Sequence, residues 1–139
     1  MTERQALSGQ LTTEQAAVWA VVEDLYVAYL DGDRLRLESH LAPDCTMWES
    51  ALPELRTRQD LVAARNSSQS PPADPQPHTL AAEPLVITVD GDLAVEAHTL
   101  RAQFADPSLD QSLRCTSALT RTSGQWRFIH HHEELLAGR

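Results

Sequence analysis

Apolar residues in the first third of the chain recur at helical spacing. Val18, Val21, Val22, Leu25 and Tyr29 fall at i, i+3, i+4, i+7 and i+11. Thr12 and Gln15 stand at capping-box spacing ahead of this stripe, and Gly32 follows it. The pattern predicts a helix over 13–31 with Tyr29 in the core. Asp33 can cap a short second helix that carries Leu37 and Leu41 and ends before Pro43. The string CTMWES predicts a first strand at 45–50. Thr57 can cap a third helix reaching about residue 68.

The second half of the chain reads differently. Residues 71–77, PPADPQP, contain four prolines, which exclude a helix or a central strand and predict a stiff connector. Beyond it, 79–89 and 93–105 flank Asp90-Gly91, a type I′ hairpin signal. Residues 111–122 and 125–134 flank Ser123-Gly124, a second tight turn, and DPSLD at 106–110 joins the two hairpins. Helices ahead of a run of antiparallel strands specify an α+β fold, not alternating βαβ units. One domain over 13–139 is expected, preceded by a flexible tail over 1–12.

Composition narrows the function classes. A hydrophobic fraction of 42% supplies an ordinary globular core. No apolar run is long enough to span a bilayer, and the polar start lacks a signal-peptide core. A formal net charge of −9 without a basic cluster argues against nucleic acid and against an anionic membrane surface as partners. Cys45 and Cys115 lack metal-type spacing and read as reduced, buried thiols, which implies a cytoplasmic location.

Three strings, in this order, resemble the nuclear transport factor two-like superfamily: LDGDRLRLESHLAPDCTMWE at 30–49, GDLAVEAHTLRAQF at 91–104 and GQWRFIHHHEE at 124–134. The last is similar to the closing strand of SnoaL-like proteins and of the calcium/calmodulin-dependent kinase II association domain, with Trp126, Ile129, His130 and His132 carrying the match and Glu134 replacing a serine. The resemblance spans about residues 13–135. It implies a cone-shaped, curved antiparallel sheet wrapped around the N-terminal helix, with a pocket between them. It also implies that Arg127, Ile129, His131 and Glu133 face inward, with Trp126, Phe128, His130 and His132 on the convex face, where covering two large aromatics calls for a homodimer. On the 93–105 strand, Glu96, His98, Leu100, Ala102 and Phe104 turn inward. This fold hosts isomerases, cyclases, dehydratases and non-catalytic interaction domains, so chemistry must be argued from side chains.

Comparison with the ketosteroid isomerases puts Glu49 at the position of their catalytic carboxylate, where apolar walls would raise its pKa and suit it to act as a general base. Tyr26 lies near their oxyanion-hole tyrosine. Their second, protonated acid is missing, because the matching stretch is Cys115-Thr116-Ser117, so steroid isomerisation itself is not expected. His98, two residues from Glu96 on one strand face, makes an acid/base pair, and His131 lines the same interior. The expected catalytic set is Glu49, Tyr26, His98 and His131. Met47, Trp48, Glu96, Leu100, Thr116, Ile129 and Glu133 are expected to contact the ligand. Each has a bland alternative, such as a core tyrosine or a hydrogen-bonded structural histidine. His130, His131 and His132 alternate faces in a strand and cannot converge on one ion, so no metal is expected, and no nicotinamide or flavin motif is present. The expected activity is cofactor-free acid/base chemistry on a small, largely apolar molecule, against the alternative of a non-catalytic, dimeric binding or interaction domain.

Overall fold

In the computed structural model, residues 2–6, 10–67 and 75–137 are described. The elements in chain order are β1 (Thr2–Ala6), α1 (Thr13–Asp31), α2 (Arg34–Ser39), β2 (Leu41–Trp48), β3 (Arg56–Thr57), α3 (Arg58–Asn66), β4 (Thr79–Asp90), β5 (Leu93–Gln103), a short 3₁₀ turn (Pro107–Leu109), β6 (Gln111–Thr122) and β7 (Gln125–Ala137). The strands form one curved sheet in the order β1-β4-β5-β6-β7-β2-β3, with α1 against its inner face. Residues 2–6, expected in a loose tail, pair antiparallel with β4 from Thr2↔Asp90 to Ala6↔Val86. Much of the expected proline connector lies outside the described residues.

Local chemistry explains the element ends. Thr12 and Gln15 close a reciprocal capping box, with the Gln15 amide N–H donating to Thr12 Oγ1 and the Thr12 N–H to Gln15 Oε1. Gly32 ends α1 in the left-handed region, φ 69°. Thr57 and Asp60 cap α3 in the same way. The fully buried Gln15 then uses its side-chain N–H to donate to Ile87 O, pinning α1 to β4. Arg65 grips the buried Glu38 with two N–H donors and ties α3 to α2. Among the described residues no helix is long and apolar enough to cross a membrane.

Four features differ from the sequence reading. First, α1 buries Gln15, Val18, Trp19, Val22 and Tyr26, while Tyr29 is 43% exposed. Ala16, Ala17, Ala20, Val27 and Leu30 make the helix apolar all round, so periodicity alone does not select the core face. Second, the sheet is mixed. β2 begins at Leu41, not 45, and pairs parallel with β7, with an irregularity between Leu41 and Thr46 where Pro43 lacks a ladder donor. Third, only Gly91 has positive φ in the first hairpin, the sign pattern of a type II′ turn. Ser123 and Gly124 are both positive, as type I′ requires. Fourth, β7 is bulged. Ala118 pairs with His130 but Leu119 pairs with Phe128, leaving Ile129 as the extra residue.

That bulge matters for the interior. It resets the alternation, so Trp126 and Phe128 are buried on the same side as His131. The expected outward placement of Trp126 and Phe128 and inward placement of Ile129 are therefore corrected. His130 and His132 remain on the outer side.

Candidate functional site

Two adjacent rungs of the sheet carry polar side chains on the inner face. One rung aligns Glu96, Ser117 and His131 across β5, β6 and β7, and the next aligns His98, Cys115 and Glu133. Strand period two aims all six toward α1. The result is a grid of two imidazoles, two carboxylates, a hydroxyl and a thiol, walled by Val18, Val22, Ile87, Leu100, Leu113 and Phe128.

Tyr26 from α1 completes one limb. Its Oη lies 2.7 Å from His98 Nε2, and His98 Nδ1 lies 2.8 and 2.9 Å from the two Glu96 carboxylate oxygens. Glu96 and His98 are fully buried. Tyr26 O–H also donates to Cys115 Sγ at 3.8 Å. Trp19 meets the His98 ring edge-on at 5.5 Å and fixes its plane. Burial pushes the Tyr26 phenol well above its usual value, with Cys115 and the carboxylates of Glu133 and Glu96 adding to the effect. Burial likewise raises the Cys115 thiol to about 12, so it is a thiol and not a nucleophilic thiolate.

The second limb is looser. Ser117 Oγ lies 2.8 Å from His131 Nδ1, while His131 Nε2 is 3.9 Å from Glu133 Oε1, beyond hydrogen-bond reach. The His131 and His98 rings stack at 6.2 Å. Burial, and then the neighbouring imidazoles of His98, His130 and His132, lower His131 to about 3, so it is neutral at pH 7. Glu133 is half-buried at the open end of this limb, where Ser50 O–H donates to it at 3.2 Å. Burial raises its pKa and the nearby Glu49 carboxylate adds to the rise, against the Ser50 hydrogen bond. The same two carboxylates, after burial, raise the Tyr29 phenol, whose O–H donates to Gln76 Oε1.

The expected site residues divide accordingly. Tyr26, Glu96, His98, Leu100, His131 and Met47 are buried on the inner side, and Glu133 sits at its rim. Glu49 follows β2, half-buried near Glu133, and is not part of either hydrogen-bonded limb. Trp48 pairs with His132 and is 41% exposed, Thr116 pairs with the same His132 and is exposed, and Ile129 occupies the bulge; none of the three joins the grid. Cys115 and Ser117 are the members that the sequence reading left out of the site. The alternation Leu113, Cys115, Ser117, Leu119 against Arg114, Thr116, Ala118, Thr120 carries that information.

A cleft of about 600 Å³ is lined by Leu52, Leu55, Arg56, Asp60, Ala63 and Ser67 beside α3. A depression of about 180 Å³ is lined by His98 and Cys115 of the grid together with Leu85, Ala97, Thr116 and His132. Between α1 and the grid the side chains pack together, and among the described residues every buried side-chain nitrogen and oxygen has a partner.

A helix followed by a mixed sheet that cups it, with a polar inner face, can be matched to known proteins. The model of the SnoaL-like domain matches residues 18–136. The chain belongs to the SnoaL-like domain family. No curated protein matches the sequence. Among solved structures, a ketosteroid isomerase-like protein from Erwinia carotovora atroseptica superposes with a TM-score of 0.72 at 12% identity, over 91% of this chain and 99% of that one. An NTF2-like protein from Cytophaga hutchinsonii gives 0.71 at 16%, over 91% and 100%. The CaMKII hub of S. rosetta gives 0.67 at 18%, over 91% and 100%. At these identities the likeness establishes the SnoaL-like fold, not a shared activity.

Proposed function

We propose that this SnoaL-like domain binds a small, largely apolar carbonyl compound against the grid and moves a proton beside the carbonyl without a cofactor, as an isomerase, cyclase or dehydratase does. The observation that carries the reading is the Glu96–His98–Tyr26 chain, which lies buried among apolar walls and runs toward a rim carboxylate of raised pKa. Burying so many ionisable groups in a small core is unfavourable for stability, and such clusters concentrate at sites of chemistry. Glu133 takes the proton from the carbon next to the carbonyl, its pKa kept up by burial and then by Glu49. Tyr26 stabilises the negative charge that develops on the oxygen. The ligand reaches the grid at the Glu133 rim by displacing side chains that otherwise fill it. The reduced, buried Cys45 and Cys115 fit a cytoplasmic setting.

The test is deuterium uptake from heavy water into the α-carbon of a panel of small apolar ketones, followed by NMR. Exchange catalysed by the wild type, and lost in Glu133→Gln and Tyr26→Phe, is the expected result. Exchange no faster than in buffer across the panel would overturn it.

A second reading is self-association through the outer sheet face, without catalysis. The packed interior favours it. So do Trp48, Leu85 and Val95, each more than 40% exposed, where a second copy of the chain would cover them. Gel filtration distinguishes a dimer from the 15.4 kDa monomer.

A further inference from the structure

We infer that Ser50 is the positioning residue for Glu133: its hydroxyl anchors Oε2 at the rim and leaves Oε1, on the grid side, as the oxygen that takes the substrate proton. This rests on the proposed reaction and deepens it, by naming which carboxylate oxygen acts and which turn of the chain sets its proton affinity.

The geometry begins with strand direction. β2 and β7 are parallel, and Trp48 pairs with His132. The residues that follow each of them therefore run the same way, and the chain leaving β2 arrives beside Glu133. There it turns at once, with the Leu52 N–H donating to Glu49 O at 3.1 Å. Ser50, exposed on this turn, donates its O–H to Glu133 Oε2 at 3.2 Å. The other oxygen, Oε1, has His131 Nε2 beside it at 3.9 Å, beyond hydrogen-bond reach. The two oxygens are thus unlike. One is engaged at the surface, and the other faces the grid without that engagement. In the proposed step the C–H bond next to the carbonyl breaks, its electron pair passes into the enolate, and the proton goes to the carboxylate. An oxygen that already accepts a hydrogen bond is the weaker base, so the proton goes to Oε1. Ser50 lies on the solvent side, so a carboxylate pushed outward by an entering ligand moves toward it. The long bond then tightens, as catalytic hydrogen bonds do on complex formation.

The same turn acts on Glu133 in two opposite senses. Burial is the main influence on this carboxylate and raises its pKa. Against burial, the Ser50 hydroxyl stabilises the ionised form, and the Ser50 backbone N–H acts in the same sense. Glu49, the residue before, adds its negative charge and favours the protonated form. The groups facing Glu133 from the other elements are accounted for. His98 on β5 acts in the same sense as Ser50. His131 is neutral at pH 7 and brings no charge. Glu133 in turn adds to the rise that burial imposes on Tyr26, Tyr29 and Cys115. Neighbouring residues with opposite effects on one carboxylate give the inference a signature that a merely structural role for Ser50 lacks.

Two measurements test it. The first is a pH titration by carbon NMR of protein labelled at the glutamate carboxyl carbon, with Glu133 identified as the signal absent from Glu133→Gln. Ser50→Ala removes the O–H and keeps the backbone N–H, and is expected to move the Glu133 midpoint up. Glu49→Gln is expected to move it down, and Ser50→Thr, which keeps a hydroxyl, to leave it at the wild-type position. A midpoint unmoved in Ser50→Ala, or moved in the same direction by Ser50→Ala and Glu49→Gln, overturns the inference. The second is deuterium exchange into the ketone panel at a pH above every midpoint. There Ser50→Ala is expected to lower kcat about tenfold with KM unchanged, because lost orientation outweighs gained basicity, and Ser50→Thr is expected to restore it. An unchanged kcat in Ser50→Ala overturns the positioning role. If the midpoints move as expected but the wild type exchanges no ketone, the proposed reaction and the part of Oε1 in it fall, while the hold of Ser50 on Glu133 stands.

Discussion

The two limbs of the grid are built from the same three chemical groups, a hydroxyl, an imidazole and a carboxylate, yet they are in different physical states. In the deep limb, Tyr26, His98 and Glu96 are joined at 2.7 and 2.8 Å and closed from solvent. In the rim limb, Ser117 and His131 are joined at 2.8 Å, but the step to Glu133 opens to 3.9 Å and the carboxylate reaches the surface. The difference comes from what covers each limb. Tyr26 and Trp19 of α1 lie over His98, whereas Glu133 lies beyond that cover, beside Ser50 and near Glu49. Fixed geometry suits a group that must hold a hydrogen in one direction. A half-solvated carboxylate of raised pKa suits one that must take up a proton and give it back.

Removing one partner from each limb separates them by size of effect. His98→Ala strands the buried Glu96 carboxylate and is expected to lower stability by roughly 3–5 kcal/mol in urea unfolding. A loss below about 1 kcal/mol would mean that the deep limb is not the closed hydrogen-bonded chain described. The next effect is pH. His131 binds a proton near its ordinary value when unfolded but only at about pH 3 when folded. The unfolded state therefore holds more protons between these values. Stability is full above about pH 6.5 and declines as pH falls toward 3, by at most about 1.4 kcal/mol per pH unit from this group. Thermal melts across that window, with His131→Asn flattening the slope, check it; an unchanged slope contradicts it.

Ser117→Ala comes next, at about 1–3 kcal/mol, since it leaves His131 Nδ1 buried without its partner. Glu133→Gln is the smallest, within about 1 kcal/mol, because the group is half-solvated and makes one long hydrogen bond. Its sign adds a check. A carboxylate whose folded pKa is raised contributes stability at low pH that is lost as pH rises through the folded pKa, so Glu133→Gln should help slightly at neutral pH. A large loss at pH 7 would assign Glu133 a structural role.

The parts of the fold written in local chemistry were legible in the sequence. Thr12 with Gln15, Gly32, Thr57 and the turns at Gly91 and Ser123-Gly124 mark their elements because capping and positive φ depend on a few adjacent residues. Period two put Glu96 and His98 on one face of β5, and the family resemblance chose that face as the inner one. What could not be read was set by long-range pairing. Ile129 carries no mark of a bulge, since an apolar β-branched residue fits either face, yet it reverses Trp126 and Phe128. The apolar surface all round α1 concealed that Tyr26, not Tyr29, meets the sheet. Thr116 was placed inside through family comparison, whereas the alternation of its own strand puts it outside.

The most direct test of the proposal that a ligand binds at the grid is a crystal structure of the protein soaked with the panel of small apolar ketones. The account predicts density between α1 and the sheet, with the ketone oxygen within hydrogen-bond distance of Tyr26 Oη and the rim side chain of Glu133 displaced. Ketone bound only in the cleft beside α3 or on the outer face, with the Tyr26–His98–Glu96 limb unchanged, would contradict it.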